Sequence, residues 1–77
     1  MDDITKKVIE CAAMVYEVEE SEISPETDIR EDLSAQSIKI IAFVGGLEEA
    51  FGVVIDFAEA GELITIADFV NKVKESM

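Results

Sequence analysis

The residues able to do chemistry are few. The chain has 77 residues and no histidine, so the usual general base and the commonest metal ligand are missing. It has one cysteine, Cys11, which excludes an internal disulfide and a multi-cysteine zinc site. No G-x-S-x-G elbow occurs, and no nucleophile–base pair can be assembled. Enzymatic catalysis is therefore not expected. The serine that stands out is Ser37. An acidic approach, Asp28-Ile29-Arg30-Glu31-Asp32-Leu33, leads to it, and an amphipathic run starts directly behind it. Ile40, Ile41, Val44, Leu47 and Phe51 recur at three- and four-residue spacing, and Gly52 follows where a helix C-cap belongs. The spacing puts Ser37 at the mouth of a helix of about four turns. Taken alone, such a serine reads as an N-cap.

The whole stretch resembles the acyl carrier protein family. Those carriers show a pattern of the type E-D-L-G-x-D-S-L, then an apolar helix ending L-E-E-x-F-G. This chain has Glu31-Asp32-Leu33, Ser37 and Leu47-Glu48-Glu49-Ala50-Phe51-Gly52 in the same register, and the likeness runs from about residue 4 to about residue 75. The resemblance implies that Ser37 carries 4′-phosphopantetheine, delivered from coenzyme A by a phosphopantetheinyl transferase. It implies group carriage: a thiol on a flexible arm holds an acyl group as a thioester. It also implies an acyl-chain pocket at Leu47, Phe51, Ile55, Ala60 and Leu63. Enzymes with basic docking patches, acyl-transferring or condensing, would meet Gln36, Ile38, Lys39, Glu48 and Glu49. Ser34, Gln36 and Ile38 stand where the family has Gly, Asp and Leu, which leaves the modifying transferase open. Ser37-Ile38-Lys39 is similar to polyketide and nonribosomal carriers as much as to those of fatty-acid synthesis.

The elements that position Ser37 follow from periodicity. Residues 2–18 read as a first helix, with Ile4, Val8, Cys11, Val15 and Val18 as its stripe, widened by Ile9 and Ala12. Cys11 lies in that stripe without a basic neighbour there, so a buried, inert thiol is expected. Residues 19–36 make a long acidic connection. Ser24-Pro25-Glu26 could open a short turn with Ser24 as cap, and Ile23, Ile29 and Leu33 are the anchors. The connection lacks the spacing of an EF-hand loop, so no specific metal site is expected. In the second helix Gly45 and Gly46 are adjacent, read as close packing or a bend, or as room for an acyl chain. Val53-Val54-Ile55 reads as a buried connector, and residues 57–62 as a short helix. Thr65 caps a last helix whose buried face is Ile66, Phe69, Val70 and Val73.

One all-α domain over 1–77 is expected, a small four-helix bundle of acyl-carrier type with three longer helices and one short. Eighteen acidic against six basic residues give a net charge of −12. Such a surface repels nucleic acid and anionic membranes and attracts basic protein patches. Apolar residues are 49% of the chain and periodic, which argues against disorder. No run is long enough to span a membrane, and no basic-then-apolar leader is present. A cytoplasmic monomer is expected. Fatty-acid or specialised lipid biosynthesis is the leading pathway; a polyketide, nonribosomal or amino-acyl carrier and an unmodified acidic adaptor are the alternatives.

Overall fold

The computed structural model describes residues 2–77. Three longer helices and one short one pack around a single cluster of buried residues: α1 (Asp3–Tyr16), α2 (Ser37–Phe51), α3 (Phe57–Ala60) and α4 (Ile66–Ser76). No strand forms among the described residues, and the expected all-α class holds.

Helix α1 starts where Asp2 accepts the Thr5 N–H at 2.7 Å. It stops at Tyr16, short of the expected residue 18, because Glu17 adopts a left-handed conformation with φ 59°. Its buried residues are Val8, Ile9, Ala12 and Tyr16. The expected stripe of Ile4, Cys11, Val15 and Val18 lies at the edge of the core, only partly buried. The physical reason is that α1 packs against both α2 and α4, so its buried face centres between them.

The long connection is ordered by hydrogen bonds rather than by apolar anchors alone. Ile23 and Ile29 are buried and Leu33 is packed against the core, as expected. Two short turns within it have no periodic signal: Glu20–Glu22 forms a 3-10 turn, and Ile29–Leu33 forms a π turn. Asp28 caps the latter, accepting the N–H groups of Arg30 and Glu31. Ser24 does not cap the Pro25 turn. Instead its N–H donates to the hydroxyl of the buried Thr27 at 2.8 Å.

The same connection caps α4. The first N–H groups of a helix have no partner within it. Here Ile66 N–H reaches the Thr27 carbonyl and Ala67 N–H reaches that of Pro25. Thr65 and Asp68 complete the start with a capping box, as the sequence predicts. Those bonds from the Thr65 and Ile64 N–H groups hold the Asp68 carboxyl below its ordinary pKa. Ile66, Phe69, Val70 and Val73 are the buried face of α4.

Helix α2 begins and ends where the sequence places it, with Gly52 at φ 65° donating to the Glu48 carbonyl. Ile40, Val44 and Leu47 are buried; Ile41 is not, being 54% exposed. The core position that periodicity missed is Phe43, fully buried between Tyr16 and Phe69 with ring centroids 6.0 and 4.9 Å away. Val53 and Ile55 bury the connector behind α2, while Val54 points out. Asp56 caps α3, accepting the N–H groups of Ala58 and Glu59.

Candidate functional site

Ser37 is the first residue of α2 and is exposed to solvent. It is not the cap. That position belongs to Gln36, whose side chain makes no capping bond. Among the described residues no hydrogen bond involves the Ser37 hydroxyl, so its oxygen is free on the surface. The bland reading of this serine as a helix cap is thereby removed.

The backbone around it is also free. Lys39 and Ile40 N–H groups both point to the Gln36 carbonyl, at 3.1 and 3.4 Å. Ser37 and Ile38 N–H groups have no acceptor among the described residues. No acidic side chain sits in the first turn of α2 to neutralise its positive end. A hydroxyl, two unpaired N–H donors and the dipole of a 15-residue helix converge on one exposed spot. Such a spot accommodates a phosphate ester.

The flanking segments are held by contacts whose partners lie far off in sequence. Arg30 donates through Nη1 to the Leu63 carbonyl at 2.8 Å and through Nη2 to that of Gly61 at 3.0 Å. This ties the approach to Ser37 onto the α3–α4 connection. Lys39 Nζ donates to the Val15 carbonyl at 3.0 Å and to Glu17 Oε2 at 3.1 Å. It thereby joins the start of α2 to the end of α1, where a cation opposes the negative helix terminus.

The residues expected to dock partners divide accordingly. Gln36, Ile38 and Glu49 are exposed and unengaged. Lys39 is committed to α1 as described. Glu48 is half-buried, and its Oε2 accepts the Ile55 N–H at 2.9 Å, which fixes the connector after α2. Of the expected pocket residues, Leu47, Ile55 and Ala60 are buried, and Phe51 and Leu63 are packed against the same cluster.

A groove of about 310 Å3 lies instead between α1 and α2, bordered by Cys11, Met14, Val15, Gly46 and Ala50. Gly45 and Gly46 do not serve close packing, since a β-carbon built at either meets nothing within 4 Å. Cys11 is half-buried rather than buried. Burial raises the pKa of its thiol, and Lys7 on the same groove opposes that shift. A basic neighbour is therefore present, one turn earlier on α1, yet burial outweighs it and holds the thiol pKa above its ordinary value.

Comparison with known proteins decides the family. A family model described as a phosphopantetheine attachment site matches residues 6–73. The chain belongs to the acyl carrier protein family. It is 39% identical over 74 residues to an acyl carrier protein of Rubrobacter xylanophilus, covering 96% of this chain and 91% of that one. It is 32% identical over 77 residues to acyl carrier protein 2 of Pseudomonas aeruginosa, covering 100% and 98%. An acyl carrier protein of Campylobacter lari is 37% identical over 73 residues, covering 95% and 90%. Acyl carrier proteins are carriers and not enzymes, and the group they bear is 4′-phosphopantetheine. The carrier accordingly works with acyl-handling enzymes. No helix among the described residues is long and apolar enough to cross a membrane.

Proposed function

We propose that Ser37 is the attachment residue for 4′-phosphopantetheine and that the carrier serves fatty-acid or specialised lipid biosynthesis. The observation that carries the first part is the free, exposed Ser37 hydroxyl at the unneutralised start of α2. A phosphopantetheinyl transferase would join Ser37 Oγ to the phosphorus that bears the pantetheine of coenzyme A. The pyrophosphate bond breaks, the adenine nucleotide leaves with its electron pair, and the serine proton passes to a base of the transferase. This chain need supply no base of its own, in keeping with its lack of histidine. The Ser37 and Ile38 N–H groups and the positive end of α2 then favour the phosphate. When attached, the group supplies a thiol that carries the acyl chain as a thioester.

A lipid cargo rests on the apolar interior beside α2. A fatty chain leaves water by parting α2 from α3 and packing against Leu47, Phe51, Ile55, Ala60 and Leu63. Each buried methylene contributes about 0.8 kcal/mol, so a medium chain offsets the cost of opening a packed core. Loading the arm with acyl groups of increasing length should raise the melting temperature stepwise and move the NMR signals of those five residues. Shifts confined to the surroundings of Ser37, with no gain in stability, would favour a polyketide, nonribosomal or amino-acyl cargo. The Ser37-Ile38-Lys39 triplet is the feature that supports this second reading. With a net charge of −12 the carrier is expected to act as a cytoplasmic monomer, since two copies repel.

A further inference from the structure

Tyr16 is the last residue of α1 and the only tyrosine of the chain. It is 8% exposed, and its ring stands edge-on to Phe43 of α2. The ring suits an apolar core; the hydroxyl does not. Among the described residues nothing pairs with Tyr16 Oη, which is itself out of contact with solvent. A hydroxyl taken out of water without a new partner is costly, so buried tyrosines usually place theirs in a hydrogen bond. A phenylalanine would make the same contact with Phe43 without that cost. The surroundings say what would satisfy the group. Burial raises the pKa of the phenol, so it keeps its proton and remains a donor. The charge that acts on it is the Arg30 cation, which opposes that shift. Arg30 in turn donates to the carbonyls of Leu63 and Gly61. Donor and cation both favour an electron-rich oxygen, and Arg30 lies against Leu63, one of the residues expected to line the acyl-chain pocket. Lys39 Nζ, from the start of α2, bonds the carbonyl of the neighbouring Val15, so Tyr16 lies at the Ser37 end of the bundle.

We infer that Tyr16 is a specificity-determining residue for the cargo: its buried hydroxyl donates a hydrogen bond to a keto oxygen on the acyl chain, so that the interior prefers an oxo-acyl chain to a plain hydrocarbon chain of the same length. The inference rests on Ser37 being the attachment residue and on the cargo entering the core. A hydrocarbon chain gains by leaving water but leaves Tyr16 Oη unpaired. A carboxylate in the same place must bury its charge inside a chain of net charge −12. A hydroxyl on the chain brings a hydrogen of its own, so one of the two O–H groups stays without an acceptor. A keto oxygen only accepts, and meets none of these penalties.

The test uses the whole chain, wild type and Tyr16→Phe. A broad-specificity phosphopantetheinyl transferase loads each from coenzyme A thioesters of octanoate, of β-oxo-octanoate and of an octanoate with its keto group at the next-to-last carbon. Intact mass shows each load in place. In the unloaded carrier Tyr16→Phe should raise the melting temperature by roughly 4–8 °C, as removal of an orphaned hydroxyl from a domain of this size does. The loaded wild type should melt higher with an oxo chain than with octanoyl. Tyr16→Phe should reverse that order, since the keto oxygen is then buried without a donor. With one tyrosine and no tryptophan in the chain, the tyrosine absorption band reports on Tyr16 alone. It should move to the red on oxo loading and stay in place on octanoyl loading, as the phenol begins to donate. An unloaded Tyr16→Phe carrier that melts lower than the wild type overturns the inference, because Oη is then already paired with a buried water. So do oxo and octanoyl loads that differ equally in the two proteins with the band unmoved. An octanoyl load that is attached but adds no stability overturns the lipid reading as well. A wild type that gains no mass contradicts the attachment itself, and is told apart by that.

Discussion

Gly45 and Gly46 offer a sharp test because they look like a defect. Both lie inside α2, neither has a positive φ, and a β-carbon at either position enters open space. Glycine inside a helix costs about 1 kcal/mol relative to alanine, through the backbone freedom it loses on folding. Gly45→Ala and Gly46→Ala should therefore each stabilise the unloaded carrier by about 1 kcal/mol. In a domain of this size that raises the melting temperature by roughly 4–8 °C per substitution. Gly52 is the control: at φ 65° it needs its freedom, and Gly52→Ala should destabilise by about 1 kcal/mol. Thermal unfolding followed by far-UV circular dichroism reads all three. A melting temperature unchanged or lowered by the two helix substitutions would refute the reasoning, and would mean the pair is needed for the fold. Gly46→Leu extends the test to cargo. It should leave the unloaded protein folded and fill the groove beside Cys11. If it blunts the stability gained on acyl loading, the groove receives part of the chain.

Other expectations follow from the contacts around Ser37. Arg30→Ala removes two hydrogen bonds to carbonyls of the α3–α4 connection and should cost about 1–2 kcal/mol, lowering the melting temperature by roughly 5–10 °C. Asp68 has a pKa lowered in the fold, so its contribution is complete above the ordinary carboxylate value of 3.8 and lost as pH falls through the folded value. Acid titration of stability should thus show less loss below about pH 4 in Asp68→Asn than in the wild type, at the cost of lower stability at pH 7. Ion pairs join Lys7, Lys39, Lys72 and Lys74 to Glu10, Glu17, Glu59 and Asp2, yet six cations cannot offset eighteen carboxylates. The melting temperature should rise with salt and more steeply with millimolar magnesium or calcium. A melting temperature indifferent to both would show that the remaining carboxylates are too dispersed to matter.

What the sequence makes legible is what local chemistry encodes. Thr65 and Asp68 announce the start of α4 because a capping box closes within one turn, and four periodic apolar residues fix its face. Gly52 marks the end of α2 because few other residues accept its conformation. The centre of the α1 face was not legible, because it depends on two helices packing on it at once. Phe43 escapes a three-and-four pattern read through Ile41, since nothing local says which flank of a wide apolar face is covered. The roles of Arg30, Lys39 and Glu48 depend on carbonyl, carboxylate and N–H groups brought together only by folding. The family resemblance implied docking for Lys39 and Glu48, and in the fold both also hold the scaffold together. The place of Ser37 at the start of α2 was legible by register, while the absence of a capping bond from its hydroxyl required the structure.

The central claim is that the Ser37 hydroxyl carries the phosphopantetheine group and holds no part of the fold together. Ser37→Ala tests it most directly. Because Gln36 and not Ser37 occupies the cap position, the substitution should leave the melting temperature unchanged. Wild type and variant are incubated with coenzyme A and a broad-specificity transferase, and the intact masses are measured. The wild type should gain one phosphopantetheine unit and the variant none. A variant that gains the same mass, or a wild type that gains none with several transferases, would contradict the account.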